Sequence, residues 1–131
     1  MTIKVLAVDD EPNILRLIEV KLEMSGFEVV TARDGEEGVR IALAEKPDVV
    51  LLDLAMPKIG GYAAAQRIKA EVTPKPIILM LTGQAPEAET ASASTGNADG
   101  YIAKPFSPRE LVARINAALI EAGRSPNSVG G

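Results

Sequence analysis

A chain of 131 residues can bury one sizeable core but leaves no room for a second folded domain. Hydrophobic residues make up 47% and charged residues 24%, an ordinary soluble composition, and with only 3% aromatics the core must be aliphatic. A net charge of −4 argues against direct binding to nucleic acid or an anionic membrane, and the lack of cysteine and histidine excludes disulfides, thiolate and Ser-His-Asp catalysis and the usual zinc sites.

The N-terminus runs straight into the aliphatic strand Lys4–Val8, with no basic-then-apolar leader and no apolar stretch of about 18 residues anywhere, so a cytoplasmic protein is expected. The first helix is marked by Pro12 in its opening turn, by Ile14, Leu15, Ile18 and Leu22 at helical spacing, and by Gly26 as its stop. A second strand, Glu28–Thr31, leads to a helix with Asp34 as N-cap and Glu36 and Glu37 in the first turn. That helix should bury Val39, Ala42 and Leu43 and end before Pro47. The third strand, Val49–Leu52, ends in Asp53 and is followed by a helix.

A fourth strand, Ile77–Leu81, precedes a weak fourth helix over Ala88–Gly96, where Thr90, Ser92, Ser94 and Thr95 compete for backbone hydrogen bonds and predict fraying. The fifth strand, Tyr101–Ala103, leads into the best-signalled helix. There Ser107 is N-cap, Pro108 holds the first position, Glu110 completes a capping box, and Leu111, Val112, Ile115 and Leu119 form the apolar stripe. Residues 1–122 read as one domain, and from Gly123 onward the small, polar sequence reads as a disordered tail or severed linker.

Five strand-helix units succeed one another, and the strand runs are apolar without alternation, as expected when helices cover both faces of a parallel sheet. The fold expected is therefore a (βα)5, doubly wound, three-layer α/β sandwich. In such sheets ligands bind outside the carboxyl ends of the strands. Asp9 and Asp10 come directly after the first strand, Asp53 and Thr82 end the third and fourth, and Lys104 ends the fifth, so all five converge on one edge.

Three clustered carboxylates repel one another unless a proton, a lysine or a divalent cation offsets their charge. Magnesium suits such a site, because it takes oxygen ligands and leaves room for a phosphoryl oxygen. An aspartate carboxylate can attack phosphorus while a cation and a lysine stabilise the transferring group, and Thr82 could hydrogen-bond a phosphoryl oxygen.

The segments Val8-Asp9-Asp10-Glu11-Pro12, Asp53-Leu54-Ala55-Met56-Pro57 with Gly61, Thr82-Gly83 and Tyr101-Ile102-Ala103-Lys104-Pro105-Phe106 resemble the response-regulator receiver family over about residues 3 to 121. The resemblance implies a flavodoxin-like strand order, 2-1-3-4-5. It implies Asp53 as phosphoacceptor and Mg2+ or Mn2+ ligated by Asp10, by Asp53 and by the Ala55 carbonyl, with Asp9 acting largely through water. Lys104 would pair with the acceptor or its phosphoryl group, and a cis peptide would precede Pro105. Thr82 and Tyr101 would couple phosphorylation to a surface formed by the fourth helix, fifth strand and fifth helix. Partners implied are a histidine kinase or histidine phosphotransfer protein and a downstream target protein, with a homodimer through the same surface among the options. The protein would be a signalling switch rather than an enzyme, catalysing only its own phosphorylation and dephosphorylation.

Each residue taken alone has a plainer reading. Asp9 or Asp10 serves equally well to cap the helix begun at Pro12, Lys104 passes for a solvated loop lysine, and Tyr101 for a half-buried strand aromatic. Their joint placement outweighs those readings. Gly60 and Gly83 depart from the family pattern but are small, while Ala55 and Gln84 flank the phosphoryl position and leave the lifetime of phospho-Asp53 open. Aspartyl-phosphate enzymes of similar architecture resemble a pattern with a second aspartate where Ala55 stands, and a flavin phosphate would be repelled by Asp9-Asp10-Glu11. A receiver-like interaction module working without phosphorylation is the remaining alternative.

Overall fold

The computed structural model describes residues 2–54, 60–83 and 98–123. Five strands, β1 (Lys4–Val8), β2 (Glu28–Ala32), β3 (Val49–Asp53), β4 (Ile77–Thr82) and β5 (Gly100–Ala103), form one sheet in the order β2-β1-β3-β4-β5. Every pairing is parallel. The helices described are α1 (Pro12–Met24), α2 (Gly35–Glu45), α3 (Gly61–Glu71) and a C-terminal helix, Pro108–Glu121. The predicted fourth helix and the tail from residue 124 lie outside the described residues.

Because side chains alternate across a pleated strand, each central strand feeds two cores. Val5, Ala7, Val49, Leu51, Leu79 and Leu81 pack with Leu15, Ile18 and Leu22 of α1 and Leu111, Ile115 and Leu119 of the C-terminal helix. Leu6, Val8, Val50, Leu52, Ile78 and Met80 pack on the other face with Val39 and Ala42 of α2 and Ala64, Ala65 and Ile68 of α3. Fully burying each such aliphatic contributes roughly 1.5–3 kcal/mol, which explains why β3 and β4 carry no polar residue until their last position.

Helix starts obey local chemistry. The Asp34 carboxylate accepts the Glu37 backbone N–H at 2.8 Å, and the Ser107 hydroxyl accepts that of Glu110 at 3.0 Å. Helix α2 stops at Glu45, before Pro47, as expected. Leu43 departs from expectation, since it is exposed rather than buried. At roughly 100° per residue the inward stripe centres on Gly35, Gly38, Val39 and Ala42, and Leu43 falls on its rim. Strands β2, β3 and β4 each run one residue past their predicted ends, and β5 starts one residue earlier.

Candidate functional site

The chain leaves β1 toward β2 on one side and returns to β3 on the other, so the order of strand succession reverses between the parallel strands β1 and β3 and opens a crevice at their carboxyl ends. Asp9 and Asp53 continue the alternation of Val5 and Ala7 and of Val49 and Leu51, which brings both to the α1 side of that edge. Both are buried, and with Thr82 they are the buried polar or charged residues of the described chain. Asp10 is exposed beside them, and one carboxylate oxygen from each of Asp9, Asp10 and Asp53 lies within 4.8 Å of the others.

Lys104 enters from the far side of the sheet. Its backbone N–H donates to the Thr82 carbonyl at 2.7 Å, fixing the exit of β5 against the end of β4. Its Nζ then reaches Asp9 Oδ2 at 3.0 Å and Asp53 Oδ2 at 3.4 Å. The Lys104–Pro105 peptide is cis, as the family resemblance implied, and so is Thr73–Pro74, which sequence had not suggested. Asp9 Oδ1 accepts the Glu11 N–H at 2.9 Å at the start of α1. Asp9 thus braces the turn that leads into α1, although the N-cap is Glu11 and no side chain caps that helix.

Burial pushes the Asp9 carboxyl above the ordinary aspartate range, against the opposing pull of the Glu11 N–H and Lys104, while Asp53 adds to the rise. For Lys104 burial is the largest single effect and pulls the ammonium down, but Asp9 and Asp53 together outweigh it and leave it raised. A raised carboxyl binds its proton more tightly in the fold than in the unfolded chain. Its contribution to stability is therefore fully present below the unfolded value and is lost as pH rises through the folded one. Asp9→Asn, which keeps the Oδ1 acceptor, should then be more stable than the wild type at pH 7 in cation-free buffer. That advantage should vanish as the pH falls through the Asp9 range, a trend that urea unfolding at a series of pH values will test.

Three carboxylates face one ammonium here, so the cluster stays net negative when ionised. Hard oxygen donors, converging at this spacing with a charge deficit, fit a magnesium-class cation. Gly61 lets the start of α3 approach the exit of β3 closely, because a Cβ there would lie 2.8 Å from the Asp53 carbonyl oxygen and 3.0 Å from Leu54 Cα. Of the other predicted positions, Tyr101 is half-buried, pairs with Met80 and packs against the α2 and α3 side of the core. Ala55 and Gln84 lie outside the described residues.

Sequence reasoning passed over the bonds that brace β5. Asp99 Oδ2 accepts the Ile78 N–H at 2.8 Å and Lys69 Nζ at 2.7 Å, Lys69 also reaches the Pro76 carbonyl, and Arg114 donates to the Tyr101 carbonyl. Lys69 and Asp99 are 30 residues apart, so no local pattern announces the pair.

The sequence profile of the response regulator receiver domain matches residues 5–116. The chain belongs to the response regulator receiver family. This receiver domain is 48% identical over 116 residues to a probable transcriptional regulator ycf27 of Guillardia theta, covering 88% of this chain and 45% of that protein. It is 35% identical over 126 residues to the DNA-binding dual master transcriptional regulator RpaA of a Synechocystis strain, covering 95% of this chain and 52% of that protein. The chemotaxis response regulator CheY4 of Vibrio cholerae superposes with a TM-score of 0.83 at 33% identity, covering 91% of this chain and all of that one.

The receiver chain thus spans about half the length of these sequence relatives. The expectation of no direct contact with nucleic acid is not borne out by them, since RpaA is named as DNA-binding. The charge of 131 residues speaks only for the surface those residues form, and the relatives are about twice as long. Among the described residues no helix is long and apolar enough to cross a membrane. The receiver is a signalling domain of two-component response regulators and not an enzyme in the usual sense.

Proposed function

We propose that this receiver domain is a phosphoacceptor switch in which Asp53 takes a phosphoryl group from a histidine kinase or a histidine phosphotransfer protein. The observation that carries the reading is the buried Asp53 carboxylate at the sheet edge, 3.4 Å from Lys104 Nζ and clustered with Asp9 and Asp10. A carboxylate oxygen of Asp53 forms a bond to phosphorus as the bond from phosphorus to the donor breaks, the donor leaving with that electron pair. Asp10, Asp53 and the Ala55 carbonyl would hold Mg2+ or Mn2+, with Asp9 acting largely through water. The cation would supply neutralisation of the charge on the transferring group. Lys104 would hold the same charge from the β5 side, and the Thr82 hydroxyl would donate to a phosphoryl oxygen.

The signal would leave through Tyr101 and the surface of the fourth helix, fifth strand and C-terminal helix, to be read by a target protein or by a second copy of the chain. Residues 1–122 form the switch in this reading, and 123–131 serve as tail or linker. Relatives named as transcriptional regulators support a place in control of transcription for the longer proteins that carry such a domain. The test is intact-protein mass after incubation with a small acyl phosphate, with and without magnesium. A magnesium-dependent phosphoryl adduct is expected. A folded, magnesium-loaded protein that gains none would favour the phosphorylation-independent interaction module instead.

A further inference from the structure

We infer that the outer face of α1 pairs with α1 of a second copy of this chain, antiparallel about a two-fold axis at Val20. Helix α1 buries Leu15, Ile18 and Leu22 against the sheet, yet it also carries Leu17, Val20 and Met24 at helical spacing, 36%, 38% and 74% exposed. Met24 stands at the edge of a groove of about 500 Å3 that it shares with Pro108, Val112 and Ala113 of the C-terminal helix. Stripe and groove form one apolar surface across two neighbouring helices. The opposite side of the C-terminal helix, where Arg114 meets the Tyr101 carbonyl, takes no part in it.

The face is self-complementary about Val20. Arg16 and Glu23 lie roughly 40–60° round the helix on one side of that residue, and Leu17 and Met24 roughly 40–60° round on the other. Arg16 stands four residues before Val20 and Glu23 three after it, while Leu17 stands three before and Met24 four after. In an antiparallel two-fold pair each flank meets the same flank of the other copy. Arg16 then faces Glu23 of the second copy and Leu17 faces its Met24, each within about 1.5 Å along the axis, and both contacts are made twice. A parallel pair would set each charged flank against an apolar one. Neither Arg16 nor Glu23 has an ion pair among the described residues, whereas Arg40 and Arg67 pair with glutamates of their own helices. Leu17 of the second copy, set against Met24, would enter the groove. One helix face is a small interface, so the dimer is weak and reversible.

The experiment exploits a chain without cysteine. Val20→Cys puts the two thiols on the axis, and copper phenanthroline should oxidise them to a disulfide-linked dimer, each thiol giving up one proton and one electron. Leu43→Cys, 41% exposed on α2, is the control and should stay monomeric under the same conditions. Adding Arg16→Glu to Val20→Cys sets glutamate against glutamate and should slow the cross-link several-fold, and adding Glu23→Arg as well should restore it, since both ends are then reversed. Sedimentation equilibrium of the wild type at its highest soluble concentration should show a dimer that Val20→Glu abolishes. Met24→Glu takes its place should that variant fail to fold. Cross-linking of Val20→Cys no faster than of Leu43→Cys, or no recovery on charge reversal, overturns the pairing. So does a dimer that survives Val20→Glu, which would belong to another surface, and so does a wild type that stays monomeric, which would leave the face to a different protein.

Discussion

Asp53→Asn is expected to gain no phosphoryl group under conditions in which the wild type gains one. The substitution changes one oxygen for an amide nitrogen of nearly the same size, so the packing at the end of β3, where Asp53 pairs with Leu81, is left in place. It removes the anionic nucleophile altogether, and an amide has no comparable power toward phosphorus. It also takes one negative charge out of a cluster in which Asp9 and Asp53 are both buried, so the variant should unfold at no lower urea concentration than the wild type in cation-free buffer. Loss of the adduct together with retained stability assigns the chemistry to Asp53. Undiminished labelling would move the acceptor elsewhere.

Gly61→Ala should carry the largest structural effect of any single methyl added near the site. The new Cβ would meet the Asp53 carbonyl oxygen at 2.8 Å, Leu54 Cα at 3.0 Å and Met80 Cε at 3.2 Å. The methionine end can swing away, but the two backbone atoms belong to the strand exit that carries Asp53 and cannot. Overpacking of this kind typically costs about 1–3 kcal/mol, and relieving it moves either the strand exit that carries Asp53 or the start of α3 docked against it. The expected result is a thermal midpoint lower by several degrees, together with weaker Mg2+ binding. Gly60→Ala and Gly83→Ala are the controls, because an added Cβ at either position meets nothing within 4 Å. If Gly61→Ala matched those two in stability and metal binding, the close approach of α3 to β3 would have no bearing on the site.

Asp53 and Gly61 differ in how far the sequence alone explains them. Asp53 stands at the end of an aliphatic run, and Gly61 was visible as part of the family pattern. Why that glycine is needed was not visible, because it depends on how α3 docks against the strand exit. Leu43 shows the same limit from the other side. Its apolar character and helical spacing suggested burial, yet its place on the rim of the α2 stripe leaves it exposed. No local pattern marks Lys69 and Asp99, and only the placement of α3 beside the β4–β5 edge of the sheet brings them together.

By itself the sequence determined the succession of five strands and of the four described helices, the caps at Asp34 and Ser107, and the gathering of Asp9, Asp53, Thr82 and Lys104 at strand ends. These are local properties, set by hydrophobic period, capping chemistry and chain breakers within a few residues of each position. Tertiary structure alone decided that Lys104 reaches both Asp9 and Asp53, that Asp9 also braces the turn before α1, and that an added Cβ at Gly61 would meet backbone. Lys104 and Asp9 lie 95 residues apart, and their meeting depends on strand order, register and the twist that aims each strand exit. The geometry of that meeting is set by the packing of the whole sheet against its helices.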